Sequence, residues 1–170
     1  MANKYGVVRT DLLTGTDSAS RLRSVRYLGA DGATPTAIEN GSFAKLTNLM
    51  DGERELWIGK VPAASDALAD IVLIATPEVM YDERKKNLDE FINEAGRDSR
   101  GYVLHQGDMF SISAEGLDIA TGATPAVGWV VVLQANAKAK LAASATGTKI
   151  GTVVAIETTS RYTYYVIKVA

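Results

Sequence analysis

The chain has 170 residues, of which 46% are apolar and 22% are charged, with a net charge of −2 and no cysteine. This composition is enough for a folded core and excludes disulfides, cysteine-ligated zinc and iron–sulfur clusters. A slightly acidic chain has little bulk attraction for nucleic acid or for an anionic membrane, so we expect neither as a partner.

Residues 1–24 are predicted to form an extended N-terminal arm. The stretch 13–20 (LTGTDSAS) is small and polar, without an apolar period, and residues 1–28 carry five cations against two carboxylates. Such a segment has little apolar surface with which to build a core of its own. An ordinary edge strand followed by a loop is the alternative.

Residues 25–77 are predicted to be rich in β-strands. Val25–Leu28 leads into a glycine-rich turn, and the pairs Asn40-Gly41 and Asp51-Gly52 are typical of tight hairpins between short strands. The mostly apolar run 67–75 has the length of a buried strand.

Residues 78–100 are predicted to contain one amphipathic helix, within 81–95 (YDERKKNLDEFINEA). Opposite charges lie four residues apart along it, and Gly96 stands where a helix cap would be. The apolar side chains recur at helical spacing on one face: Leu88, Phe91, Ile92 and Ala95.

Residues 101–170 are predicted to form a compact β-barrel, β-tulip or sandwich. Short strands separated by glycine-containing turns at intervals of roughly ten residues are typical of these folds. The fold class is therefore mainly β with one helix (α+β), and residues 25–170 make one or two compact domains. The candidate strands are Tyr102–His105, Met109–Ser113, Trp129–Gln134, Lys138–Ala142, Ile150–Thr158 and Thr163–Val169.

The sequence offers no recognisable reactive centre. His105 is the only histidine, and a lone strand histidine is more often a packed or rim residue than a base. No nucleophile elbow, phosphate-binding loop or calcium loop is present. We therefore expect no catalytic residue, no metal site and no cofactor, although a pair of carboxylates brought together by the fold stays open.

Five side chains are candidates for contact with a protein partner. Arginine and tryptophan are enriched in protein interfaces, and Trp57 lies in a charged neighbourhood. The arginines are few for a nucleic-acid site and have little aromatic interleaving, which favours an acidic protein surface. Ordinary solvated charges are the alternative. The candidates are Arg9, Arg21, Arg23, Arg26 and Trp57.

The first residues, MANKYGVVRT, lack the apolar core of a signal peptide, and the longest apolar runs are too short to span a bilayer. We therefore expect a protein that is made and kept in the cytoplasm or released when the cell lyses.

Several phrases of the sequence resemble small proteins that tailed phages and prophages of Gram-positive bacteria encode beside the major capsid protein. The most distinctive lies at 75–96, within ASDALADIVLIATPEVMYDERKKNLDEFINEAGRDSRGYVLHQGDMFSIS (64–113). The others are VRTDLLTGT (8–16), SVRYLGADG (24–32) and GTVVAIETTSRYTYYVIKV (151–169).

The resemblance implies a structural protein of the phage head that decorates and stabilises the expanded capsid. It implies a β-barrel or β-tulip module with an N-terminal arm, a trimer, the major capsid protein as partner and the virion as location, after assembly in the host cytoplasm. The chain differs from these proteins in its length, because a minimal decoration module needs neither the β region at 25–75 nor a helix at 81–95.

Two other function classes stay open. A carbohydrate- or receptor-binding module of a phage tail or cell surface would cluster exposed aromatic side chains, for which Trp57, Tyr162, Tyr164 and Tyr165 are the candidates. A hydrolase working through two carboxylates would bring acidic side chains together in a cleft.

Overall fold

The protein is mainly β, with two sheets packed against each other. The structure is a computed structural model and describes residues 4–16, 18–144 and 146–170. Its strands are β1 (Leu22–Tyr27), β2 (Phe43–Leu49), β3 (Leu56–Lys60), β4 (Ile71–Ile74), β5 (Asp98–Val103), β6 (Met109–Ser113), β7 (Leu117–Ile119), β8 (Val130–Gln134), β9 (Asn136–Ala142), β10 (Lys149–Thr158) and β11 (Thr163–Val169). Its 3-10 turns are Thr10–Leu12, Ala19–Arg21, Leu68–Asp70, Leu88–Glu90 and Ala114–Gly116.

The first five strands close into a barrel in the order β1-β3-β2-β4-β5. Strand β1 runs parallel to β3 and antiparallel to β5, which closes the ring. The interior is narrow, because a Cβ atom at Gly59 would lie 2.5 Å from Cγ1 of Val25. Buried Val25, Ala44, Val72 and Ile74 fill this interior.

The last six strands form a second sheet in the order β6-β11-β10-β8-β9-β7. All its pairs are antiparallel except β7 with β9. The closed barrel is thus made by strands between residues 22 and 103, whereas the prediction gave residues 101–170 as a barrel, β-tulip or sandwich. Strands β6 and β11 have the predicted bounds, and β7 was not predicted.

The main core lies between the barrel and the second sheet. The outward side chains of β2 and β4 bury themselves against the sheet, so β4 (IVLI) is buried on both faces. Phe43 of the barrel meets Phe110 of the sheet edge to face, with ring centroids 6.2 Å apart. Burial on both faces explains why the sequence of β4 is continuously apolar and does not alternate.

The N-terminal segment belongs to this core, which corrects the prediction of an arm without core of its own. Residue 8 bridges Ile112 of β6 in antiparallel register, and the Arg9 amide donates to the Ser111 carbonyl at 3.0 Å. Val7, Val8 and Leu13 are buried. The segment therefore covers the free edge of β6 with apolar side chains. The small, polar composition of much of residues 1–24 did not indicate this burial.

The predicted helix at 81–95 is wrong. Within the described residues this region contains only the 3-10 turn Leu88–Glu90, capped by Asn87, and otherwise irregular chain. The burial pattern is the reverse of the predicted one: polar Asp89 and Asn93 are buried, while Leu88 is 44% exposed. Long-range hydrogen bonds to these two buried side chains outweigh the local helical pattern.

None of the helices in the described part of the chain has the length and hydrophobicity needed to cross a lipid bilayer.

Candidate functional site

Two adjoining clefts lie where the barrel meets the connection between β4 and β5, residues 75–97, called here the β4–β5 segment. One, the basic cleft, has a volume of about 660 Å³ and the other, the apolar cleft, about 640 Å³. Thr76, Pro77 and Asp98 line both clefts, so the two form one continuous surface.

The basic cleft lies where residues of β1, β3 and β5 come together. Arg23 and Val25 alternate with the outward residues of β1 and so share a face, and Val25 is fully buried in the barrel. Trp57 pairs with Val25 from the parallel neighbour, and Ser99 pairs with Val25 from the antiparallel one. The register therefore brings Arg23, Trp57 and Ser99 together in one cleft.

Three arginines are among the residues that line the basic cleft: Arg23, Arg54 and Arg100. Arg23 donates to the carbonyl oxygens of residues 20 and 22, both at 2.8 Å, while Arg54 and Arg100 are exposed. The lining carboxylates are Glu55 and Asp98. Asp98 accepts a hydrogen bond from Nε of Arg26 at 2.6 Å. Because Asp98 is already paired with an arginine that does not line the cleft, the three lining arginines give the cleft an excess of positive charge.

Ser99 is the unusual residue of this cleft. It is only 3% exposed, and its hydroxyl has no hydrogen-bond partner among the described residues. Buried hydroxyl groups are nearly always hydrogen-bonded, because desolvation without compensation costs free energy. The hydroxyl oxygen is itself buried, so Ser99 lies in the wall of the cleft with its hydrogen-bonding capacity unused.

The apolar cleft lies between two stretches of the β4–β5 segment, around Met80 and around Phe91. At its rim, Val79 is 59% exposed and Tyr81 is 88% exposed. Large apolar side chains at such exposure beside a cleft are typical of protein-interaction sites.

The carboxylates lining the apolar cleft are each paired with an arginine. Asp82 pairs with Arg84, Glu94 with Arg97 and Asp98 with Arg26. The hydrogen bond from Arg84 lowers the pKa of Asp82. The Asp82 carboxyl is thereby favoured in its ionised form, whereas a general acid needs a raised pKa.

A buried carboxylate, Asp89, fixes the β4–β5 segment at residue 89. Its side chain accepts hydrogen bonds from the Lys4 amide at 3.1 Å, from Nη2 of Arg161 at 2.8 Å and from the Tyr162 hydroxyl at 2.7 Å. Burial alone would raise the pKa of Asp89, but the bonds from Tyr162, Arg161 and Lys4 together lower it. The segment is thereby tied to the N-terminal residues and to the β10–β11 turn.

Two buried amide side chains, Asn40 and Asn93, fix the same segment at residues 76–78 and at residue 93. Asn40 donates to the Thr76 carbonyl at 2.8 Å and to Glu78 at 2.9 Å, and it accepts from the Thr76 amide. Asn93 donates to the Ile38 carbonyl at 3.0 Å, beside its own bridge to that residue. Burial raises the pKa of Glu78. The walls of both clefts are therefore held in place before any partner binds.

Of the predicted contact residues, the structure brings Arg23 and Trp57 together in the basic cleft. Arg9 pairs with Asp11 and Glu157, and Arg26 pairs with Asp98 on the barrel surface. Arg21 holds both oxygens of Asp108, at 2.7 and 2.6 Å.

The predicted tyrosine group is not an exposed aromatic cluster, because Tyr162, Tyr164 and Tyr165 are buried. His105 is exposed in the loop after β5, which ends at Val103, and not in a strand.

The sequence reasoning missed Arg54, Arg100, Ser99 and Asp89. Arg100 pairs with Ser24 and so lies on the opposite face of β5 from Ser99, and no alternation pattern in the sequence marks it as lining the basic cleft. Within the described residues, no group of three histidines, aspartates or glutamates is placed to hold a metal ion. In comparisons with protein-family models, curated proteins and solved structures, nothing matched this chain.

Proposed function

We propose that this chain is a non-enzymatic structural protein of a tailed-phage head, which stabilises the expanded shell as a trimer bound to the major capsid protein. The observation that carries the proposal is the continuous pair of clefts, with Val79 and Tyr81 exposed at the rim of one and three arginines lining the other. This is an apolar contact area bordered by charge, the usual anatomy of a protein interface.

The anchoring of the clefts supports a docking role. Asp89 and Asn93 are almost fully buried and hydrogen-bonded to distant parts of the chain. Because the β4–β5 segment is ordered before binding, less conformational entropy is lost when a partner arrives. A trimer on a symmetric shell would add the contacts of three copies through effective concentration.

The alternatives receive less support. Arginine pairing of Asp82, Glu94 and Asp98 disfavours a two-carboxylate hydrolase at the apolar cleft. A carbohydrate-binding face would need stacked exposed rings, and burial of the C-terminal tyrosines leaves Trp57 and Tyr81 apart in two different clefts.

The test is co-sedimentation of the purified protein with empty expanded shells of the phage that encodes it. We expect saturable binding at a fixed ratio to the major capsid protein, and about tenfold weaker binding after Val79→Asp with Tyr81→Asp, because exposed apolar anchors dominate such interfaces.

Val127→Asp is the matched control, since Val127 is 62% exposed on a different loop. All variants should melt as the parent does, because the changed side chains are on the surface. Equal binding by the Val79/Tyr81 variant and the control, or no binding of the parent protein to shells, would contradict the proposal.

A further inference from the structure

We propose that the basic cleft is a carboxylate-binding site that receives an acidic side chain from a segment of the partner protein, while the adjoining apolar cleft takes the apolar residues of the same segment. The inference rests on the proposed function, since it names the chemistry by which the partner is recognised.

The charge of the basic cleft favours an acidic ligand. The basic cleft is lined by Arg23, Arg54 and Arg100, whereas its carboxylates are Glu55 and Asp98, the latter held by Arg26. The whole chain has a net charge of −2, so this local excess of positive charge runs against the overall balance. Guanidinium groups grouped in a cleft favour a carboxylate or phosphate oxygen, with which arginine makes paired, charge-assisted hydrogen bonds.

The unpartnered hydroxyl of Ser99 also favours a ligand that can hydrogen-bond. Ser99 lines the cleft, is 3% exposed and has no partner among the described residues. Because its oxygen is buried, Ser99 can donate to a carboxylate in the cleft only after a change of rotamer, and binding would then supply the hydrogen bond that the hydroxyl lacks. Nothing in the packing of Val25 or Gly101 beside it requires a polar atom at that position.

The continuity of the two clefts favours a peptide carboxylate over a free anion. Thr76 and Pro77 line both clefts, so one extended segment can lie across them. The half-buried Trp57 gives the basic cleft an apolar wall suited to the methylene groups of a glutamate. A phosphate ion would use the arginines and leave this wall and the apolar cleft empty.

The experiment is fluorescence polarisation with a labelled peptide of sequence Leu-Val-Gly-Glu-Glu, and the same peptide ending in Gln-Gln as its uncharged counterpart. We expect the glutamate peptide to bind the parent protein about tenfold or more tightly than the glutamine peptide, and more weakly as salt is raised. Equal binding of the two peptides, or no binding of either, would overturn the assignment.

Three variants locate the site. Arg54→Gln with Arg100→Gln should abolish the preference for glutamate, and both side chains are exposed, so the fold should survive. Lys140→Gln with Lys149→Gln removes the same charge from exposed positions on the second sheet and should leave binding unchanged. Ser99→Ala should weaken peptide binding without lowering the melting temperature of the free protein, a combination that a purely structural serine would not give. Equal loss in the lysine control would overturn the site.

Competitors distinguish the ligand sources. Inorganic phosphate or a single-stranded oligonucleotide that displaced the peptide at concentrations below the dissociation constant of the peptide would overturn a carboxylate site. The shell assay separates this inference from the proposed function. Retained shell binding by the Arg54/Arg100 variant would sink the inference and leave the function standing. Glutamate-peptide binding without shell binding would support the site and sink the function.

Discussion

Asp89 shows at the scale of one residue how the β4–β5 segment is held. Its carboxylate is buried and accepts hydrogen bonds from Lys4, Arg161 and Tyr162, which come from two distant parts of the chain. A buried charge is tolerated only when such bonds replace the lost water. Burial raises the pKa of Asp89 and the hydrogen bonds lower it. Because the net pKa is lowered, the hydrogen bonds have the larger effect.

This balance predicts a pH dependence. Because the folded pKa of Asp89 lies below its unfolded value, its contribution to the free energy of unfolding is present above about pH 4 and is lost as the pH falls through the folded pKa. Asp89→Asn should cost about 1–3 kcal/mol at neutral pH and lose less stability on acidification than the parent, as measured by urea unfolding at several pH values.

Asp51→Asn, at an exposed turn, is the control and should behave as the parent does. Burial raises the pKa of Glu78, so its contribution falls as the pH rises, but it is common to all three proteins and cancels in the comparison. A parent and an Asp89→Asn variant with the same acid slope would contradict the role given to Asp89.

At the scale of elements, the N-terminal segment acts as an edge strand for the second sheet. It covers β6, and Val7 packs on Tyr162 and Tyr164 of the β10–β11 hairpin. An uncovered strand edge with apolar neighbours would invite unwanted pairing. The segment thus stabilises the sheet and, through the Lys4 amide, the β4–β5 segment as well.

Two adjacent leucines test this role. Leu13 is 5% exposed and belongs to the main core, whereas Leu12 is 46% exposed. Leu13→Ala should lower the free energy of unfolding by about 2–5 kcal/mol, and Leu12→Ala by no more than about 0.5 kcal/mol. Chemical denaturation of both variants is the measurement. If the free energy of unfolding fell equally little in both, the segment would lie on the surface and the role given to it would be wrong.

Local signals in the sequence were enough to predict most strands of the second half. Tyr162–Val169 is aromatic and β-branched, and turn residues separate it from its neighbours, so β11 begins and ends where predicted. Strand β7 has three residues and pairs in parallel with the distant β9, and no local pattern marks such a strand.

The helix at 81–95 failed for a related reason. Leu88, Phe91 and Ile92 have helical spacing, but the buried bonds of Asp89 and Asn93 to residues far along the chain decide the conformation. The basic cleft shows the same limit. Composition singled out Arg23 and Trp57, while Ser99 joins them only through the pairing of β1 with β5, and Arg100 lines the cleft from the other face of β5.

For the whole molecule, the proposed arrangement is a rigid β body that presents one prepared docking surface. The main core joins the barrel to the second sheet, and the buried polar bonds of Asn40 and Asp89 hold the loop that lines both clefts. A surface of this kind suits many identical, modest contacts repeated by the symmetry of a shell.

The central claim is that this protein is a repeated component of the virion. Quantitative mass spectrometry of purified particles from the encoding phage measures its copy number against that of the major capsid protein. The account predicts a fixed ratio set by the symmetry of the shell, close to one copy per capsid protein or a simple fraction of it. Absence from purified particles, or only a handful of copies in each, would contradict the account.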